Sequence, residues 1–331
     1  MKRLFIIALL GLLAVLEAPA ADYVCDGLLL SLNEKTGRFT LFISSDDEEN
    51  KWQPLFFDKD PRTSFLSVLV NDRAYKLGDS SSFKIRMGED IGYPSFLFDS
   101  PFLSVTEEFS FITGNGSPVA NGIYVAITLR NPAENPVTAG ARFLLDTFLC
   151  EESGGSLSTN LRPINSEILL TELDSDIYWN DGNGKYSLLG SLPQGPVGSP
   201  DSVHIANWKR LSDVSWKVAY QPGRNFSFPP YSTGDTAVCY YFDPLPLGPG
   251  ESRRFGFSLF FSGGEADFSG HAASAPPAAP SNSKDQDLAD LREIISIIDA
   301  RIYSGTATEE DLAAIEFALG KLRAKYGAGP Y

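Results

Sequence analysis

From residue 27 to about 263 the chain consists of short alternating runs cut by turn residues, and nothing in that stretch sustains a helical period. Leu28–Leu32 and Arg38–Ile43 flank a turn at Asn33–Gly37, and Ser64–Val70 and Ala74–Leu77 flank Asn71-Asp72-Arg73, which reads as a hairpin. Phe102–Thr113 alternates most clearly, with Leu103, Val105, Glu107 and Phe109 on one face. Gly122–Asn131, Arg142–Cys150, Glu167–Leu173, Ala237–Phe242 and Arg253–Ser262 continue the series, punctuated by Gly, Pro, Asn and Asp. Many short strands separated by turns predict a mainly β chain folded as a large antiparallel sandwich over residues 21–268. Residues 154–201, rich in Gly and Pro, read as a long excursion. It carries one hairpin, Asp176–Trp179 to Tyr186–Leu189.

The pattern then changes twice. Residues 269–283 have Ala/Pro/Ser linker composition, with no core formers and prolines that keep the backbone extended. Beyond them, Leu288, Leu291, Ile295, Ile298 and Ile302 recur at spacings of 3 and 4, and Gly305 ends the run. Thr308 with Glu309, Glu310 and Asp311 opens a second run, Leu312, Ile315, Leu319, Leu322 and Tyr326. Residues 284–327 therefore predict a helical hairpin. Two helices alone cannot cover faces this wide, so Leu291, Ile295, Ile298, Leu312, Ile315 and Leu319 are the expected partner-binding residues.

The first twenty residues read as a cleaved leader: Lys2 and Arg3, an apolar run from Leu4 to Leu16, then Ala18-Pro19-Ala20. The apolar run is too short for a permanent span, and no later stretch could cross a bilayer. Tyr23-Val24 before Cys25 departs from the small residues that a lipidation signal uses. The formal net charge is −15, and loss of the leader removes a net +1 to leave −16. With no Lys/Arg-rich run, that charge excludes nucleic acid as a partner. The expected place of action is outside the cytoplasm, in a periplasm or at a cell surface. Cys150 and Cys239 have two readings: a disulfide, which export permits, or two buried small apolar residues.

Material for catalysis is sparse. The two histidines are His204, within the β region, and His271, in the linker, so a His-based triad or His-rich metal site has nothing to build on. Asp146, Glu151, Glu152, Asp174, Asp176 and Asp181 are candidates for a carboxylate-pair glycan enzyme. Asp174, Asp176 and Asp181-Gly182-Asn183-Gly184 raise calcium, but the spacing is not that of an EF-hand and the last four residues make an ordinary hairpin turn. No metal or cofactor is expected. Tyr178, Trp179, Tyr186, Trp208 and Trp216 are the candidate carbohydrate-binding residues, as a flat platform for sugar rings or as core.

Leu129-Arg130-Asn131, Val137 and Ala141–Thr147, together with Leu245–Ser252 before a final aromatic strand, resemble segments of bacterial exported β-sandwich proteins. Some of these have the large supersandwich fold shared with galactose mutarotases and carbohydrate-processing enzymes. The resemblance implies a supersandwich-like body. Mutarotase-like activity uses two histidines and a carboxylate, and His204 alone is present in the body, so the resemblance implies a non-catalytic relative. The sequence therefore reads as an exported binding or structural protein of the bacterial envelope. Its hairpin would assemble with itself or with another envelope protein, and the alternative reading is a carbohydrate-binding module.

Overall fold

The computed structural model describes residues 20–45, 51–57, 61–88, 94–114, 117–193 and 198–263. The leader before Ala20, the linker and the helical hairpin lie outside the described residues, and with them the six expected partner-binding residues.

Within the described residues the chain is mainly β. In chain order the strands are β1 (Ala20–Cys25), β2 (Leu28–Asn33), β3 (Arg38–Ser44), β4 (Trp52–Pro54), β5 (Phe65–Val70) and β6 (Arg73–Lys76). They continue with β7 (Lys84–Gly88), β8 (Ser95–Asp99), β9 (Ser104–Ile112), β10 (Gly122–Arg130), β11 (Val137–Leu145) and β12 (Ser156–Thr159). The last six are β13 (Ile168–Thr171), β14 (Tyr178–Gly182), β15 (Tyr186–Ser191), β16 (Ser202–Asn207), β17 (Thr236–Leu247) and β18 (Ser252–Gly263). A five-residue helix, α1 (Trp208–Ser212), and a 3-10 turn at Leu149–Glu151 are the helical pieces described.

These strands form three antiparallel sheets. One has the order β1-β2-β3-β4, the second β13-β16-β17-β11-β5-β6 and the third β12-β14-β15-β18-β10-β9-β8-β7. Asn71 and Asp72 close the β5–β6 hairpin with both residues at positive φ, the geometry that a two-residue turn between twisted strands requires.

Alternation assigns each strand two faces, and in the six- and eight-stranded sheets the inner faces meet. Tyr240 of β17 stacks on Phe257 of β18 with centroids 4.2 Å apart, and Phe242 stacks on Phe255 at 4.1 Å. Phe39 of β3 touches Phe109 of the eight-stranded sheet (4.9 Å) and Phe143 of the six-stranded sheet (5.7 Å), so the four-stranded sheet closes onto the same core. The chain passes from one large sheet to the other at Gly248–Glu251. Fully buried Asn131 pins that corner: its amide nitrogen donates to the carbonyl oxygens of Leu247 (3.0 Å) and Asn135 (2.9 Å).

Two expectations are corrected. The strand expected at Arg142–Cys150 runs instead from Val137 to Leu145, with a bulge between Ala139 and Ala141. It ends because the Asp146 amide turns to the Ser64 hydroxyl and the Leu149 and Cys150 amides turn to Asp181. The excursion at 154–201 carries more than its one hairpin: β12, β14 and β15 extend the eight-stranded sheet and β13 lies at an edge of the six-stranded one.

The alternation of β9 places Glu107 inward with Val105 and Phe109. It is 1% exposed, and neither carboxylate oxygen has a hydrogen-bond partner among the described residues. Burial pushes its carboxyl well above the usual range, because the charged form would be taken out of water with no partner. An unpaired buried polar group costs about 1–3 kcal/mol, so Glu107→Met should raise unfolding stability by that order. Urea titration checks this, and a lower midpoint would contradict it.

Candidate functional site

The outer face of the six-stranded sheet carries Arg142, His204, Cys239 and Tyr241, the residues that alternate with its core positions. The 208–235 connection between β16 and β17 crosses this face, and side chains of the sheet hold its backbone in place. Arg142 donates to the carbonyl oxygens of Val214 (2.9 Å) and Leu211, and its Nε lies 3.0 Å from Cys239 Sγ. His204 Nε2 is 3.0 Å from Glu167 Oε1. Glu167 also accepts from Arg210 Nε (3.0 Å) and the Gln221 amide (2.8 Å). Burial would raise the Glu167 carboxyl, but Arg210, the Gln221 amide and His204 together hold it below the usual range. Burial lowers the His204 imidazole against the pull of Glu167. His204 is 2% exposed and Glu167 2%, so this constellation is a buried strut with no open position for a reacting atom.

The aromatic platform is not formed. Trp179 is fully buried, its Nε1 donates to Tyr240 Oη at 2.8 Å, and it lies against Gly190, where an added Cβ would come within 2.3 Å of the indole. Trp208 is half-buried and donates to the Thr63 carbonyl (3.0 Å), and Trp216 packs edge-on against Tyr241. Tyr178 is half-buried on β14. Tyr186, 7% exposed, is the one of the five that lines a cleft.

The candidate carboxylates separate into groups. Asp174 and Asp176 both pair with Arg162, at 3.4 and 2.8 Å, so a guanidinium stands where calcium was considered. Among the described residues no three His, Cys, Asp or Glu side chains are arranged to hold a metal ion. Asp146 is buried beside Ser64. Asp181 and Glu151 both bear on the Leu149–Glu151 turn, through separate hydrogen bonds. Asp181 accepts the amides of Leu149 (3.2 Å) and Cys150 (2.5 Å), and Glu151 accepts Thr236 N (2.6 Å) and Oγ1 (2.9 Å). Asp181 is fully buried, so the pair opens no substrate path to it. Cys150 and Cys239 are free. Cys239 is fully buried and Cys150 Sγ lies 3.2 Å from Thr236 Oγ1.

Two open clefts are lined by described residues. One, of about 470 Å³, runs between Thr171–Leu173, Gly198–Asp201, Leu245 and Arg253–Phe255. Its arginines are already engaged, Arg253 with Asp201 (3.5 Å) and Arg254 with Glu108. The other, of about 520 Å³, lies between the β1–β2 turn, the β14–β15 turn and the end of β18. Asp26, Ser44, Asn121, Lys185 and Ser262 supply polar groups of every kind, and Tyr186, Ile43 and Phe261 supply the apolar wall. Lys185 Nζ lies 5.0 Å from the centroid of the Tyr186 ring, whose hydroxyl donates to Ser45 Oγ at 3.1 Å. Both clefts fall within the usual size for small-molecule sites, roughly 300–1,000 Å³. No residue of the sequence pattern marked either cleft except Tyr186.

No family model matches the chain, and no curated protein matches it. Among solved structures, a galactose mutarotase-like protein from Lactobacillus casei is 9% identical with a TM-score of 0.43, over 74% of this chain and 100% of that one. An aldose epimerase homologue from C. elegans is 10% identical with a TM-score of 0.43, over 75% of this chain and 100% of that one. A polysaccharide lyase is 12% identical with a TM-score of 0.42, over 73% of this chain and 33% of its own length, so this chain spans about a third of the lyase. The first two neighbours are of the mutarotase and epimerase type at low identity, as is the resemblance carried by residues 129–147 and 245–252.

If Glu167 is the anchor of the 208–235 connection, Glu167→Ala leaves His204 and Arg210 without their shared partner. Breaking such a buried pair should cost about 3 kcal/mol of stability. Trypsin should then cut the folded protein at exposed Lys217. An unchanged unfolding midpoint with Lys217 still protected would contradict this anchoring.

Proposed function

We propose that this chain is an exported, non-catalytic carbohydrate-binding protein that holds a saccharide in the cleft beside Tyr186. One observation carries the reading: the cleft sets a carboxylate, a primary amide, two hydroxyls and an ammonium around an aromatic and aliphatic wall. Sugar hydroxyls both donate and accept while sugar C–H faces are apolar, so that mixture suits a polyol better than a charged or a wholly apolar ligand. The absence of catalysis is inferred from where the acid–base groups lie, since His204, Glu167 and Asp181 are spent on internal contacts. Action in the periplasm or at the cell surface is inferred from residues 1–20.

A second reading concerns residues 284–327, whose apolar spacing favours assembly with another copy or with another envelope protein. It is compatible with the first: the body would bind glycan and the C-terminal segment would place the body.

The test is a glycan array probed with the full mature chain, followed by calorimetry on any sugar retained. Loss of one polar contact costs about 1 kcal/mol, so Lys185→Ala and Ser262→Ala should each weaken binding roughly fivefold. Trp216→Ala, far from the cleft, should leave binding unchanged. Retention of no glycan, or retention indifferent to both cleft variants, would overturn the reading.

A further inference from the structure

We propose that the carboxyl groups of Glu151 and Asp181, which fasten one 3-10 turn from two sides, govern the shape of the cleft beside Tyr186, so that saccharide retention falls as pH rises. This rests on the reading of that cleft as a saccharide site.

A continuous set of contacts joins the pair to the cleft. Asp181 lies near the end of β14, and the turn that follows it delivers Gly184, Lys185 and Tyr186 to the cleft wall. Its carboxylate takes the amides of Leu149 and Cys150, the first two residues of the 3-10 turn. Just beyond that turn, Glu152 accepts from the side-chain amide of Asn183. The Asn183 Oδ1 in turn accepts the amides of Lys185 (3.0 Å) and Tyr186 (2.8 Å). Glu151 fastens the same 3-10 turn to the start of β17 through Thr236 N and Oγ1. Residues 149–152 therefore grip the end of β14 and its turn at both Asp181 and Asn183, four residues or fewer from Lys185.

Two further titratable groups face these carboxyls: Cys150, beside Glu151 on the 3-10 turn, and Asp235, just before β17. Thr147, after β11, and Thr236 add hydroxyls. Ionising both carboxyls sets the like charges of Glu151, Asp181 and Asp235 close together in a space with little water.

The sign follows from burial. Desolvation, partly offset by the Thr236 hydrogen bonds, pushes Glu151 up to about 7. Desolvation, partly offset by Cys150, Thr147 and Leu149, pushes Asp181 up to about 6. Both values lie above those of an unfolded chain, about 4. The folded protein therefore binds the extra protons, and the stability they add is complete below about pH 4 and is lost progressively as pH rises through the folded values of about 6 and 7. The first element to loosen is the 3-10 turn, and with it the β14–β15 turn.

The experiment has two arms on the full mature chain. Amide NMR shifts of Gly182, Gly184 and Lys185 should titrate with a midpoint between about 6 and 7, and Glu151→Gln and Asp181→Asn should each flatten the curve. On the glycan array, retention should fall on the order of fivefold from about pH 5.5 to about pH 8, fall less in either single variant, and stay level in the Glu151→Gln/Asp181→Asn double variant. Flat amide shifts in the wild-type chain overturn the coupling. Equal retention at both pH values overturns the regulation and leaves the saccharide site standing. No retention at either pH removes the saccharide site, and the amide titration then decides alone whether the acid pair moves the turn.

Discussion

The packing of β17 against β18 is the contact on which the rest of the body depends. These strands follow one another in the chain, yet they lie in the middles of different sheets, joined by the corner at Gly248–Glu251. Their inward aromatics stack in pairs, Tyr240 on Phe257 and Phe242 on Phe255, and fix how the two large sheets face each other. β10 and β15 pair with β18, while β11 and β16 pair with β17, so each sheet grows outward from that stack. Burying aromatic rings of this size contributes more than any polar contact in the molecule, and offset ring pairs add about 0.5–1.5 kcal/mol each.

That arrangement decides where polar chemistry can go. Inward positions are almost all apolar, and Glu107 is an exception whose carboxyl burial pushes up. Outward positions of the six-stranded sheet are covered by the 208–235 connection, and its backbone groups need partners once they leave water. Arg142, Glu167 and Asn207 supply them. Groups that in isolation would suggest catalysis are thereby explained as struts. The open polar surface falls instead at the sandwich ends, where turns converge: Asp26–Gly27, Gly184–Lys185 and the end of β18.

Much of the body was legible from alternation. β2, β3, β5, β9, β10 and β18 lie close to where the pattern of apolar and polar residues placed them, because each has one core face and one other face. β16 was missed because all six of its residues are buried, which leaves no alternation to read. β7 was missed because Lys84 and Arg86 sit on an edge strand. By residue type alone Trp179 fits either a sugar platform or the core. The available signal was Gly190 on the paired strand, which makes room for a ring. Glu151, Asp181 and Tyr186 stood out as candidates by residue type, but where they meet could not be read. Cys150 meets Asp181 across 31 residues and Thr236 across 86, and such meetings follow from sheet order, not from spacing along the chain.

The account's central claim is that the converging turns beside Tyr186 form a saccharide site. A crystal structure of the mature chain soaked with a sugar retained on the array tests it most directly. The account predicts sugar density between Asp26, Asn121 and Lys185, with its apolar face toward Tyr186. Density at the other cleft, beside Leu173 and Arg253, with the Tyr186 cleft filled by water alone, would contradict it.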